Sequence, residues 1–425
     1  MRLLYTLLLT LLTPLIVLRL WFKGRELPAY RQRIGERFGR VPAAPGGVAV
    51  WVHAVSVGES LAALPLIKAL VATHGERQVW VTTTTPTGSE RVIAAFGDSV
   101  RHSYAPYDLP TVVARFLDRA RPQKLVVMET ELWPNLFRAC ARRGIPILIA
   151  NARLSPRSFK GYGRVAGFTR ATLADTTHIA AQSALDAERF SALGAPQLSV
   201  AGNLKFDLAL PEAQRARGQR IRAALGPGRP VWVAASTHEG EDEIALAAHA
   251  QVLKQLPNAV LILVPRHPQR FDAVARLVER LGLDLQRRSE LDFPPAASAS
   301  PVSPLPSPVL LGDSMGEMLA YLEASDLAFV GGSFVPVGGH NILEPAALGK
   351  PVLFGPQMYN FLPARELLLG CEAAQEIPDP SALGEAVLQL LAHPAQRQAM
   401  GEAGRHAIAA NRGALERLLA LVEAA

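Results

Sequence analysis

Apolar residues follow two contrasting patterns along this chain. From Leu3 to Phe22 they form one nearly unbroken run, with ten leucines and a single charge, Arg19, near its end. From Val48 onward they come in short clusters: Val48–Val52, Val79–Thr83, Lys124–Met128 and Ile145–Ala150, then Val231–Ala235, Val260–Val264, Val309–Leu311, Leu327–Val330 and Pro351–Phe354. Longer stretches with helical spacing separate them. Strand-length apolar runs alternating with helices predict an α/β fold whose parallel sheets are covered on both faces. The clusters fall into two sets, split by a polar, Gly/Pro-punctuated stretch near Lys205–Arg229.

Twenty residues of helix span about 30 Å, one hydrocarbon core. The uncharged part of the first run, Leu3 to Leu18, is short, so Arg19 would snorkel. A signal peptide is the bland alternative, but no small-residue cleavage site follows. The Arg-rich continuation argues for retention, with everything after it on the cytoplasmic side, and for contact with anionic lipid head groups. Residues 1–24 are therefore expected as a membrane anchor, spanning or deeply monotopic, and 25–47 as a basic connecting segment. Residues 48–208 and 229–393 are expected as two Rossmann-like doubly wound domains facing a cleft, joined by a linker at 209–228. Residues 394–425 are expected as terminal helices, and Pro294–Pro308, rich in Pro, Ser and Ala, as a surface loop.

Charge sharpens this division. Lys and Arg number 44 and Asp and Glu 37, a net of +7, with a pI near 9.6. Residues 1–40 hold eight basic and two acidic side chains, so the other 385 residues carry only +1. A nucleic-acid binder would spread a basic stripe over its folded domains, and no nucleic-acid partner is expected. The composition, 49% hydrophobic and 19% charged, excludes a disordered or collagenous chain. Two cysteines, Cys140 and Cys371, fit a reducing compartment and provide no zinc cluster.

Ligands of open α/β sheets bind outside the carboxyl ends of the strands, and the informative residues lie there. After the first cluster, Ser56-Val57-Gly58-Glu59 opens a helix. Glu59 is a candidate general base, although an acid there also suits the helix dipole. No hydrolase elbow surrounds Ser56 and His53. Met128-Glu129-Thr130-Glu131 ends a buried run, where acids are costly unless paired or functional. A lysine at Lys205 could reach an anion, or be a solvated linker residue. In the second domain, Ser236 and Thr237 could hold an anion at a helix start or simply cap it. Arg266, in Pro265-Arg266-His267-Pro268, suits phosphate. Gly312-Asp313-Ser314-Met315 is a Gly-bearing turn. Two Gly-Gly pairs, Gly331-Gly332 and Gly338-Gly339, precede His340-Asn341-Ile342-Leu343-Glu344. Paired glycines let backbone approach a ligand, although Asn341 and Glu344 also read as a capping-box variant. No metal-ligand set or Asp-x-Asp motif is present, so metal-independent chemistry without a cofactor is expected.

These motifs, together with Arg19-Leu20-Trp21, Ala29-Tyr30-Arg31, Thr85-Pro86-Thr87-Gly88-Ser89-Glu90, Glu129-Thr130-Glu131-Leu132-Trp133-Pro134-Asn135, Asn151-Ala152-Arg153-Leu154-Ser155, Leu204-Lys205-Phe206-Asp207 and Ser236-Thr237-His238-Glu239-Gly240-Glu241, resemble the 3-deoxy-D-manno-octulosonic acid (Kdo) transferases over essentially the whole chain. The resemblance implies a GT-B fold and an inverting glycosyltransferase. It implies a CMP-Kdo donor and a tetra-acylated lipid A precursor (lipid IVA) as acceptor, at the cytoplasmic face of the inner membrane, with its lipids as partners. It implies that Glu59 is the base and that Glu129 and Lys205 stabilise the transition state. It implies CMP-binding roles for Arg266 and His267, for Gly312 to Met315, and for Asn341 to Glu344. The alternatives are another envelope GT-B transferase using a UDP-sugar, and a membrane-tethered nucleotide-sugar binding protein without catalysis.

Overall fold

The computed structural model describes residues 1–25, 27–208, 210–226, 228–291 and 307–425. The chain forms two compact units, residues 1–207 with 411–425, and residues 208–410. Each is built on a seven-stranded, all-parallel sheet.

In the first unit the strands are β1 (Val48–His53), β2 (Val79–Thr83), β3 (Arg101–Tyr104), β4 (Pro122–Met128), β5 (Ile147–Ala152), β6 (His178–Ala181) and β7 (Leu198–Val200), in the order β3-β2-β1-β4-β5-β6-β7. Every residue of β1 is buried, because helices cover both faces. Trp51 and Trp80 pack with Phe116 on one face, and Val50, Val52 and Val81 with Leu66 and Leu70 on the other. In the second unit the strands are β8 (Val231–Thr237), β9 (Val260–Pro265), β10 (Leu285–Arg287), β11 (Val309–Leu311), β12 (Leu327–Val330), β13 (Val352–Phe354) and β14 (Ala374–Glu376), in the order β10-β11-β9-β8-β12-β13-β14. Strand order reverses between β1 and β4, and again between β8 and β12. Those are the switch points at which open sheets bind ligands.

Three expectations change. Residues 209–228 are not a linker: they contain the helix Glu212–Leu225, whose Ile221 and Leu225 enter the second unit's core. Residues 394–425 form two helices, as expected, but these are divided between the units. The helix Pro394–Ala410 belongs to the second unit, whereas Ala414–Ala424 returns to the first. Asp207 fixes that return by accepting hydrogen bonds from the N–H groups of Gly413 and Leu415, and Ala414, Leu418 and Val422 are buried beside Ala201 and Leu204. The strand expected at 145–150 begins two residues later, because Ile145 N–H closes the preceding helix on Cys140 O. Of the loop expected at 294–308, residues 294–306 lie outside the described residues.

Candidate functional site

In the first unit, β1 delivers the chain into the helix Val57–His74. Ser56 caps that helix, its Oγ accepting from Glu59 N–H at 3.1 Å, and the Glu59 carboxylate turns back to accept from Val55 N–H at 2.8 Å. Glu59 therefore fills the capping position that the motif allows, and is also only 7% exposed. Burial raises its carboxyl from the ordinary range to about 7; the Val55 and Ser56 hydrogen bonds oppose this, and the negative charges of Glu131 and Glu129 add to it. A Cβ placed on Gly58 would meet only Ser56 Oγ, at 3.8 Å, and its φ is not left-handed. The backbone thus does not require glycine there, and what Gly58 leaves is open space beside Glu59. Fully buried His53 bonds Thr82 Oγ1 through Nδ1 at 2.8 Å, and burial drives its pKa down to about 3, so it is a neutral packing residue.

At the end of β4, Glu129 takes a left-handed backbone (φ 55°), a conformation held at a cost in non-glycine residues. Burial raises its carboxyl while Lys205 and Arg153 pull it down, which places both cations within electrostatic reach of it. Glu131 accepts from Trp133 Nε1 at 2.9 Å. The loop bearing Lys205 is anchored from below. Fully buried Asn151 (φ 54°), on β5, accepts from Leu204 N–H at 3.1 Å. Asn203 accepts from Lys205 N–H at 3.0 Å and donates to Gln182, which in turn donates to Asn151 O at 2.9 Å. Asn151 and Gln182 were not singled out as site residues from sequence. Both sit at carboxyl ends of strands, but β6, His178-Ile179-Ala180-Ala181 with Gln182 at its end, has too little apolar bulk to show as an apolar run.

In the second unit, Thr237 Oγ1 donates to Asp242 at 2.6 Å, and buried Asp242 is ion-paired with Arg270. Glu241, fully buried, accepts from the N–H groups of His238 (3.0 Å), Gly332 (2.6 Å), Ser333 (3.0 Å) and Phe334 (3.0 Å). The His238 N–H after β8 and three successive N–H groups after β12 are thus engaged by an internal carboxylate. Gly338 and Gly339 have φ of 100° and 77°, and a Cβ on Gly339 would lie 2.2 Å from Met358 Sδ, so this pair is demanded by the backbone.

Their turn brings His340 onto His238. The rings stack 3° from parallel with centroids 5.0 Å apart, and Nε2 meets Nε2 at 2.8 Å. His267 stands edge-on to His238 at 5.3 Å. Burial, then His238, Arg266 and His267, lower His340 to about 4, leaving its imidazole neutral near pH 7. The structure therefore groups Arg266, His267 and His340 with His238, a residue not singled out from sequence. Ser236 precedes them in a left-handed conformation (φ 59°).

The other expected donor residues are more occupied. Asp313 accepts from Arg287 Nε at 2.8 Å and from Ser289 N–H and Oγ at 2.8 and 2.6 Å; burial would raise its carboxyl, but these bonds hold it below its ordinary value. Ser314 bonds Glu317 and Tyr321, Gly312 packs against Val264 and Tyr321, and Met315 is exposed. Asn341 accepts from Leu343 N–H at 3.1 Å and donates to Glu344 at 3.0 Å, while Ile342 and Leu343 are buried. These four residues form the start of the helix Leu343–Ala347. Among the described residues no group of three or more His, Cys, Asp or Glu side chains is arranged to hold a metal ion.

A family model described as 3-Deoxy-D-manno-octulosonic-acid transferase (kdotransferase) matches residues 32–208. The 3-deoxy-D-manno-octulosonic acid transferase of Haemophilus influenzae is 42% identical over 99% of this chain and 98% of its own. That of Bordetella pertussis is 41% identical over 99% and 98%. Among solved structures, UDP-GlcNAc 2-epimerase from Neisseria meningitidis aligns with a TM-score of 0.56 at 14% identity, covering 89% of this chain and 100% of its own. That likeness shows the fold alone, two Rossmann-like units of GT-B type.

Proposed function

This chain belongs to the Kdo transferase family of glycosyltransferases in lipopolysaccharide synthesis, and on that premise we propose that it transfers Kdo from CMP-Kdo to a tetra-acylated lipid A precursor, with Glu59 as the base. The observation that carries the assignment is the buried Glu59 carboxyl, raised to about 7 at the carboxyl end of β1. A base works best when its pKa lies near the operating pH.

In the proposed step the acceptor hydroxyl attacks the anomeric carbon of Kdo. Its proton passes to Glu59, and the bond to the CMP phosphate breaks with its electron pair leaving on CMP, so the anomeric centre inverts. Glu129 and Lys205 are proposed to stabilise charge in the transition state. Arg266, with the neutral His238 and His340 imidazoles, is proposed to hold the nucleotide phosphate. Glu241 acts behind them as a positioning residue.

The helix Arg2–Lys23 is long and apolar enough to cross a membrane, and family membership with this helix suggests membrane association. Placement at the cytoplasmic face of the inner membrane rests on the basic residues that follow the helix, which suit the anionic head groups of the cytoplasmic leaflet. The assay is transfer from CMP-Kdo to the lipid acceptor, followed by mass spectrometry, with CMP and UDP as competitors. Inhibition by UDP but not CMP would replace the donor assignment with a UDP-sugar. Binding without product would replace the enzyme with a binding protein.

A further inference from the structure

The helix Arg2–Lys23 has two unlike faces. Leu3, Leu7, Leu11, Leu15, Leu18 and Phe22 are between 48% and 88% exposed. Arg2, Tyr5, Leu9, Thr13, Ile16 and Leu20 are buried or half-buried. At 3.6 residues per turn these rows lie on opposite sides. The inner row rests on the first unit and begins with three polar contacts. Arg2 pairs with Asp175 at 2.8 Å, Tyr5 OH donates to buried Asp108 at 3.0 Å, and Thr6 exchanges hydrogen bonds with Asn135 at 3.0 to 3.2 Å. The Tyr5 ring also meets Phe168, with centroids 5.8 Å apart. At the other end, Arg31 of the same unit donates to Trp21 O at 2.9 Å and lies over the Trp21 ring. The amino end of the helix is thus held by the folded unit, and its carboxyl end by the segment that leads into that unit.

A spanning helix could not keep these contacts. Twenty-two residues extend about 33 Å, the thickness of a hydrocarbon core. Crossing would carry Arg2 to the face opposite Arg31, and Asp175, Asp108 and Asn135 sit in a folded unit that cannot follow. We propose that the helix does not cross: it lies in the plane of one lipid leaflet, its inner row latched to the first unit by Arg2, Tyr5 and Thr6, and its leucine row facing acyl chains. The partner is an anionic leaflet, because exposed Arg19, Lys23 and Arg25 flank the apolar row where head groups would lie, and Arg25 sits over the Trp21 and Phe22 rings. This placement follows from the helix and its contacts and does not depend on the identity of the acceptor.

The test uses the full chain with Cys371→Ser, in vesicles of phosphatidylethanolamine and phosphatidylglycerol. A nitroxide on Leu11→Cys is expected about 5–10 Å below the head groups; a spanning helix would place it about 15 Å deep, at the midplane. In the same vesicles, Arg2→Cys and Asp175→Cys are expected to be joined by a short bifunctional maleimide. A midplane label overturns the proposal, and so does a pair that crosslinks in detergent but not in vesicles. Transfer activity measured alongside separates the two readings. An active enzyme with a midplane label loses only the in-plane helix, and an inactive one with a shallow label loses only the proposed reaction.

Discussion

Glu59 and Glu241 occupy equivalent places in the two units. Each lies at the start of the helix after the first strand of its sheet, and each turns its carboxylate back toward a preceding N–H. Glu59 meets one backbone N–H, that of Val55, in a buried place that makes its charge costly, with two neighbouring carboxylates adding to that cost. Glu241 meets four, three of them from a loop about ninety residues away in sequence. Glutamate near a helix start is thus an under-stabilised carboxylate, the proposed base, in one unit and a structural staple in the other. What separates them is the number of donors that the rest of the fold brings to the carboxylate.

The largest expected effect tests the first half of this contrast. Glu59→Gln keeps the shape and the Val55 hydrogen bond but cannot take a proton, so turnover on CMP-Kdo and lipid acceptor should fall about 10²–10⁴-fold, with an unchanged circular dichroism spectrum. Turnover within a few-fold of the parent would remove Glu59 as the base.

Next in size is the same substitution at the staple. Oε1 of Glu241 serves Ser333 and Phe334, and Oε2 serves Gly332 and His238. A glutamine must turn its NH₂ toward one pair, leaving two buried donors facing donors. At ~1–3 kcal/mol for each unsatisfied group, Glu241→Gln should cost about 3 kcal/mol in urea unfolding. A neutral result would show that this carboxylate is not holding the loop.

Stability should move in the opposite direction at Glu59. A carboxyl raised in the folded state binds its proton more tightly there than in the unfolded chain. Folding stability from this group therefore declines as pH rises through the interval from about 4.5 to about 7, and the full cost is present above 7. Glu59→Gln removes the ionisable group. At pH 8 it should stabilise the protein by about 2 kcal/mol, from ~1.4 kcal/mol per pKa unit discounted for partial exposure, and at pH 4 it should change little. Equal unfolding midpoints for parent and variant at pH 8 would show that the Glu59 charge is not strained.

This contrast also marks how far the sequence could be read. The inner strands β1, β2, β4, β8, β9 and β12 are dense apolar runs because both of their faces are buried, and each is visible from residue pattern alone. Edge strands β3, β10 and β14, with sequences such as Arg101-His102-Ser103-Tyr104, have no such run. They are strands because a neighbour pairs with them. Glu59, Glu129 and Arg266 could be proposed as site residues because chemistry-bearing residues stand out at the ends of apolar runs, and Lys205 because it sits at the junction between the two sets of runs. The role of Glu241 was not, since Gly332, Ser333 and Phe334 reach it only through the fold. Nor was the return of residues 411–425 to the first unit, which depends on Asp207 capping a helix some two hundred residues later. The N-terminal helix is a similar case: its composition reads as an anchor, spanning or monotopic, and the contacts of Arg2, Tyr5 and Thr6 distinguish its two faces.

The smallest expected effect probes why Glu59 differs from Glu241 at all. Burial raises the Glu59 carboxyl most, and Glu131 and Glu129 add through charge. If Glu59 is the base, activity should fall about tenfold per pH unit below about 7, because the protonated form cannot accept the acceptor's proton. Glu131→Gln removes one negative neighbour and makes the ionised form of Glu59 easier to reach, so the acid limb should move down by a few tenths of a unit. The glutamine oxygen can still accept from Trp133 Nε1, which keeps the loop in place. A limb that stays put would assign the raised value to burial alone. A limb that moves up would mean that the group controlling activity is not Glu59.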